Sequence, residues 1–291
     1  MSRDIEPSER LEPTRVPHDS QATHREVEMP PPSREQSLFR GRTYAYSLSA
    51  DELETMYDIG RFRVIATEDL ALQRYAGRDA EMRQDLRSLL SQGLVPRRKL
   101  YVGVKKEELT VLALTKAGKK ILHKVRENED GPACLPDRQA LYAGFVKARE
   151  MRHDAAIYRM FRAEARRIHA AGGRIRRVVL DYELKRKAYP PLAKARNLPP
   201  LEYAKLQREI AAQHGLPVVK GKIQLPDLRI EYEAQDGSQA RVDLELATHH
   251  YHGSHLAAKA AAGFKIYGLD NGSHPRPIVE EREITAEILS L

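Results

Sequence analysis

Apolar and polar residues change rhythm several times along the chain, and each change marks an element. From Leu48 onward, Ser49 followed by Glu52 reads as a capping box, opening a helix that turns Leu53, Met56 and Tyr57 inward and stops at Gly60. Thr67 opens a second short helix through Tyr75, which Gly77 ends. Asp79 caps a third, in which Met82, Leu86, Leu89 and Leu90 share one stripe, and Gly93 terminates it. Two strand-like stretches, residues 94–104 and 109–114, flank a charged turn at 105–108. A closing helix begins at Thr115, Lys116, Ala117 and Gly118 and runs past Leu122.

The second half has longer periods. Residues 141–171 predict an amphipathic helix with Ile157, Phe161, Ala165 and Ile168 on its apolar line, ended by Gly172 and Gly173. A strand is expected over 175–181, a basic and Pro-containing stretch over 185–200, and a helix over 201–214. A hairpin over 223–247 and a helix over 254–267 follow. Residues 126–138, rich in Asn, Asp, Gly and Pro, read as a linker between domains at 45–125 and 139–291. Residues 1–40 are rich in Pro, Glu, Arg and Ser and have almost no apolar period. Such a segment buries too little surface to offset its ordering entropy and is expected to be a disordered tail.

Composition narrows the function classes. With 291 residues, 41% of them hydrophobic, the chain can form a substantial core, while 31% charged residues imply a heavily solvated surface. A formal net charge of +8 favours a polyanionic partner, though charge alone is weak evidence. The one cysteine, Cys134, excludes an internal disulfide framework and fits a reducing compartment. No run approaches the ~18 apolar residues of a membrane span. The N-terminus has no apolar signal region, so a cytoplasmic protein without a membrane partner is expected.

Three short helices, a hairpin and a closing helix resemble the winged-helix regulators of bacteria, in which the third helix enters the major groove and the wing follows the backbone. Arg78, Arg83, Gln84 and Arg87 lie on or beside the third helix, away from its leucine stripe. Arg and Gln side chains read guanine and adenine edges bidentately. Arg97, Arg98, Lys99, Lys105 and Lys106 decorate the wing, where phosphate contacts position the protein. DNA is the expected partner, and the plainer alternative is a solvated face on a protein-interaction module.

The second domain holds the candidate chemistry. Strand alternation puts Leu228, Ile230 and Tyr232 on one face of the first hairpin strand, with Val242, Leu244 and Leu246 matching on the second. A loop at Gln235, Asp236 and Gly237 then pairs Leu228 with Leu244 and Ile230 with Val242, setting Arg229 across from Asp243 and Asp227 across from Glu245. Adjacent carboxylates repel unless a positive charge sits between them. Hard oxygen ligands suggest Mg2+ or Mn2+ on Asp227 and Glu245, with Asp243 and His249 as further candidates. Lys259, beside the buried stripe of the last helix, is placed to reach back over the sheet as the catalytic cation.

This constellation resembles the PD-(D/E)xK nuclease superfamily, whose core is a helix, a three-stranded meander, a second helix and another strand. With the winged helix in front, residues 45–270 resemble the replication-relaxation family of mobile-element proteins. Within that resemblance His153 and Asp154 match an HD pair, Pro226 and Asp227 the PD, Asp243 and Glu245 the acidic strand, Lys259 a displaced lysine and Tyr267 a tyrosine. The resemblance implies an α+β chain, an N-terminal winged helix followed by a restriction-endonuclease-like α/β domain. Asp227, Glu245 and Lys259 would then be catalytic. Two departures stand out: Ala247 occupies the usual lysine position, and no fourth strand is evident after Tyr267.

Other features carry less. The histidines at 249, 250, 252 and 255 can bind a transition metal or simply line a loop. Glu183 and Lys185 mimic a nuclease motif without an upstream acidic strand, and Glu164 can supply a third carboxylate or a surface ion pair. The expected function is a DNA-binding protein of replication or mobile-element type with a magnesium-dependent DNA phosphodiesterase domain. The alternative is a non-enzymatic transcription or replication-accessory factor, and a homodimer is open to either.

Overall fold

The computed structural model describes residues 35–40, 44–102, 107–127, 138–247, 253–269 and 275–277. All of them fall in the second of the two units into which the chain divides, Met1–Arg34 and Glu35–Leu291. That unit mixes helices and sheets, with eight helices among the described residues.

Two strands, β1 (Gln36–Arg40) and β2 (Ala45–Ser49), form an antiparallel ribbon that leads into α1 (Ala50–Arg61). β1 corrects the expectation of a tail reaching residue 40. Phe39 faces Tyr46 across the ribbon and both rest on the main core, so this stretch has apolar surface to bury. The capping box is present: Ser49 Oγ accepts from Glu52 N at 3.2 Å and Glu52 Oε2 accepts from Ser49 N at 2.7 Å. α2 (Thr67–Gln73) and α3 (Asp79–Ser91) follow the two-residue strand β3 (Ile65–Ala66). The cap of α3 is Arg78 rather than Asp79, which is the first helical residue. β4 (Arg97–Val102) and β5 (Glu107–Leu112) pair antiparallel, with β3 on the far edge of β5, and α4 (Lys116–Glu127) closes this half.

The second half is built on α5 (Ala148–Ala170), which packs against β6 (Arg174–Leu180), β9 (Leu228–Glu233) and β10 (Gln239–Ala247). Between β6 and β9 the chain inserts α6 (Asp181–Lys194), α7 (Pro200–Gln213) and the small ribbon β7 (Val218–Val219) and β8 (Lys222–Ile223). After β10 come α8 (Gly253–Ala261), β11 (Lys265–Leu269) and β12 (Pro275–Pro277). The five-stranded sheet runs β12-β11-β10-β9-β6, with β10 and β11 parallel and the other neighbours antiparallel. The hairpin register is the one that apolar matching requires: Leu228 faces Leu244, Arg229 faces Asp243 and Ile230 faces Val242.

Three elements differ from expectation. Residues 141–147 are not helical; Leu141 is buried, Tyr142 N donates to Gly60 O at 2.7 Å and Gly144 N to Leu114 O at 2.8 Å, clipping this run onto the first half. α6 continues through Pro190 and Pro191, because its buried stripe of Leu184, Ala188 and Leu192 is held against α7 residues such as Ile210. The helix expected through Tyr267 stops at Ala261, Gly263 turns the chain at φ 79°, and Tyr267 lies on β11 instead. The short apolar run around Tyr267 fits either element, and its pairing with β10 decides for a strand.

One apolar core spans both halves. Phe62 meets Tyr158 edge-on at 5.1 Å between ring centres and Phe161 at 4.8 Å. Polar contacts reinforce the joint, with Arg159 Nε 2.6 Å from Asp69 Oδ1 and Arg162 donating to Gln73 O at 2.6 Å. Residues 128–137 of the expected linker lie outside the described residues. No described helix is long and apolar enough to cross a membrane.

Candidate functional site

Asp227 and Glu245 come together at one end of the β9–β10 pair, one residue beyond the last aligned pair, Leu228 and Leu244. Asp227 N donates to Glu245 Oε2 at 3.3 Å, and Leu246 N donates to Asp227 Oδ2 at 3.0 Å. Lys259 reaches in from α8, its Nζ 3.0 Å from Glu245 Oε1 and 3.1 Å from Oε2, while donating to Leu225 O at 2.5 Å. Glu245 is 1% exposed and Lys259 7%, so this pair is enclosed by protein. The expected buried stripe of Leu256, Ala260, Gly263 and Tyr267 does not form: Leu256 and Ala260 are only half-buried, Gly263 and Tyr267 lie beyond α8, and Lys259 itself is the buried residue of the helix among those described.

α5 supplies a second cation. His153 Nε2 lies 3.5 Å from Asp227 Oδ2 and its Nδ1 3.5 Å from Asp154 Oδ1. Burial alone would depress the imidazole, but hydrogen bonds to Asp154 and Asp227 outweigh it and raise His153 to about 10. Burial likewise opposes ionisation of Asp227. The hydrogen bond and charge of His153, the Leu246 amide and the Lys259 ammonium together hold its carboxyl below the usual range. The cluster therefore sets two carboxylates against two cations.

A third layer comes from the first half. Arg63 Nη1 is 3.3 Å from Asp154 Oδ2 and its Nη2 3.9 Å from Glu150, an ion pair without hydrogen-bond alignment. Arg63 has a left-handed backbone at φ 65°, which a residue with a Cβ adopts only when its surroundings enforce it. At the other flank Asp181 N, opening α6, donates to Asp227 O at 3.1 Å, and Lys185 Nζ is 2.5 Å from Asp181 Oδ2. Sequence reasoning missed Asp181 and Lys185 as neighbours of Asp227, and Arg63 as the partner of Asp154. No local signal links residue 63 to residue 154, and the Glu183 and Lys185 spacing, set aside as a mimic of a nuclease motif, gives no sign that Lys185 approaches Asp227. Glu183 is instead bound to Arg177 and Lys187.

The remaining candidates lie elsewhere. Asp243 is taken up by the buried Arg229, which holds its Oδ1 at 2.6 Å and Oδ2 at 2.8 Å while donating to His214 O and Gly215 O at the end of α7. Asp243 therefore serves hairpin–helix packing and does not join the cluster. Glu164 accepts from Tyr267 Oη at 2.5 Å and pairs with Lys265 at 2.9 Å, so neither it nor Tyr267 contributes to the site. Burial, the hydrogen bond and the Glu164 charge push the Tyr267 phenol up. His249, with the histidines at 250 and 252, lies outside the described residues.

On α3, Met82, Leu86 and Leu89 are buried while Arg83, Gln84 and Arg87 point to solvent. Arg78 at the cap donates to Tyr75 O and pairs with Glu81 at 2.6 Å. On the hairpin Arg97 is exposed, Arg98 stacks 4.5 Å over the Phe145 ring and Lys99 pairs with Glu108 at 2.9 Å. Arg83, Arg87 and Arg97 enter no ion pair among the described residues, which leaves their charge available to a partner. Lys105 and Lys106 lie outside the described residues.

Among the described residues there is no group of three or more His, Cys, Asp or Glu side chains arranged to hold a metal ion. No protein-family model, no curated protein and no solved structure matches the chain.

Proposed function

We propose that this protein binds DNA through a winged helix formed by α1 to α4 and the β4–β5 hairpin, and hydrolyses phosphodiesters at Asp227, Glu245 and Lys259. The observation that carries the reading is the convergence of those three side chains from the start of β9, from β10 and from α8. The order of elements adds support: helix α5, meander β6-β9-β10, helix α8 and strand β11 follow the plan of the nuclease superfamily that the motif resembles. On the DNA side, α3 offers Arg83, Gln84 and Arg87 on an exposed face, the chemistry that base-edge and phosphate contacts use.

Asp227 and Glu245 are hard oxygen donors of the kind magnesium or manganese take, with Lys259 lying against both Glu245 oxygens. Asp227 and Glu245 would hold the ion. Bound there, it would supply an activated water and stabilise charge on the phosphate. Lys259 fixes the Glu245 carboxylate and contributes a buried positive charge beside the scissile group. His153 Nε2 lies 3.5 Å from Asp227 Oδ2, where the imidazole can serve as a proton donor to a departing oxygen. Asp154, backed by Arg63, orients that imidazole.

One observation favours a second reading. Both carboxylates are already neutralised by cations of the chain itself, His153 and Lys259, as suits a DNA-binding accessory factor without catalysis. Incubating supercoiled and linear DNA with magnesium or manganese, beside Asp227→Ala, separates the two. Cleavage by the parent and none by the variant supports the proposed site. Cleavage that persists in Asp227→Ala assigns it elsewhere, and salt-sensitive DNA binding without cleavage under either ion selects the accessory factor.

A further inference from the structure

α6 leaves the sheet at the candidate site. Its first residue, Asp181, is hydrogen-bonded to the Asp227 carbonyl, and Lys185 lies within Coulombic reach of the Asp227 carboxylate. The inner stripe, Leu184, Ala188 and Leu192, is buried. A flanking, exposed face presents Tyr182, Lys185, Arg186 and Tyr189 at spacings that bring them onto one side of the helix. Both tyrosines are large exposed aromatics, 43% for Tyr182 and 49% for Tyr189. The Arg186 guanidinium lies 5.8 Å from the Tyr182 ring centre, and the Arg63 guanidinium 5.4 Å from the same ring. Arg186, and Arg196 just past the helix end, enter no ion pair among the described residues, whereas Lys185 is shared with Asp181.

Aromatic rings interleaved with cations, two of which (Arg186 and Arg196) enter no ion pair among the described residues, suit one class of partner better than others. Phosphates satisfy the guanidinium and ammonium groups, and unstacked bases lie flat on the phenol rings. A duplex would use the cations but hide its base faces, leaving the tyrosines without a partner. A lipid surface would be met by Leu, Phe or Trp on the apolar side of an amphipathic helix, and this face has none. The geometry points to α6 as a platform for single-stranded DNA, with Tyr189 and Tyr182 stacking unpaired bases and Arg186, Lys185 and Arg196 holding the phosphates, leading the strand toward Asp227. This substrate class rests on the DNA reading of the neighbouring site. The 14 residues of α6 extend about 21 Å, room for several nucleotides.

The chain contains no tryptophan, so Tyr189→Trp in the full-length protein gives a unique fluorophore on the platform. Its emission should fall as a short oligothymidylate saturates the protein. By anisotropy of labelled oligothymidylate, Tyr189→Ala should bind about tenfold more weakly, and Tyr189→Phe like the parent. Binding of a duplex of equal length should change by less than about twofold, since its phosphate contacts remain. Tryptophan emission unchanged at saturating oligothymidylate overturns the proposal, as do Tyr189→Ala affinities equal to the parent or reduced alike for both DNA forms. Quenching by anionic vesicles without quenching by oligonucleotide assigns the face to a membrane surface and also overturns it. If Tyr189→Ala fails to fold, quenching in Tyr189→Trp decides the matter alone. Duplex binding with an unquenched tryptophan sinks this inference while sparing the DNA reading, and binding of neither DNA form sinks both.

Discussion

Glu245 is the most enclosed charge in the candidate site, and Lys259 answers it with two close oxygen contacts. Removing one partner of such a pair leaves a charge without compensation, which costs about 3–5 kcal/mol. Lys259→Met should therefore lower the urea midpoint sharply at neutral pH, and Lys259→Met/Glu245→Leu should recover much of the loss. Recovery by the double variant, measured with an unchanged m-value, distinguishes charge compensation from damaged packing.

His153 and Asp227 make a pH prediction from one shared interaction. The folded imidazole titrates at about 10, so its contribution is complete below its unfolded value of about 6.5 and fades as pH climbs from there to the folded value. The carboxyl is depressed, so its contribution is complete above about 3.9 and fades as pH falls through the lower folded value. Because the imidazole is partly open to solvent, His153→Gln should cost only about 1–2 kcal/mol at pH 6. The difference in urea midpoint between parent and variant should narrow progressively from pH 7 to 10 and again below pH 4.

At the scale of elements, end groups and side-chain anchors set where helices start and stop. Both halves of the Ser49 and Glu52 capping box are formed, so Ser49→Ala should cost about 1 kcal/mol in thermal or urea unfolding. Arg229 acts as a clamp, joining Asp243 on β10 to the carbonyls of His214 and Gly215 at the end of α7. It is buried, so Arg229→Met should destabilise the fold by about 3–5 kcal/mol, with Asp243→Asn less damaging because the amide can still accept. Elements with a clear period and an end signal were legible: α1, α3, β9 and β10 all lie where the residues place them. α6 was not, because two prolines argue against a helix and only the burial of Leu184, Ala188 and Leu192 overrules them. β11 was not, because its short run becomes a strand only by pairing with β10.

At the scale of the whole molecule, the two halves read as domains from sequence share one apolar core around Phe62, Tyr158 and Phe161. Phe62→Ala should remove about 3–5 kcal/mol, and the parent should unfold in one cooperative transition reported identically by circular dichroism and tyrosine fluorescence. Two separated transitions would show that the halves unfold independently despite the joint. The same joint brings Arg63 of the first half to Asp154 beside the cluster, an arrangement a flexibly tethered pair of domains would not maintain.

What the sequence determined by itself is the local and periodic part. Alternation along β9 and β10 fixes which residues face the core, and with it the register that brings Asp227 to Glu245, because a one-residue slip would turn every apolar side chain outward. The packing of α8 against the sheet, rather than the stripe read from its spacing, buries Lys259 against Glu245. Only the tertiary structure decided that His153 and Lys185 approach Asp227, that Asp154 and Arg63 stand behind that histidine, that Asp243 is diverted to Arg229, and that Glu164 and Tyr267 satisfy each other. Those pairings join residues far apart in the chain, and charge compensation between such residues depends on distances that no local pattern encodes.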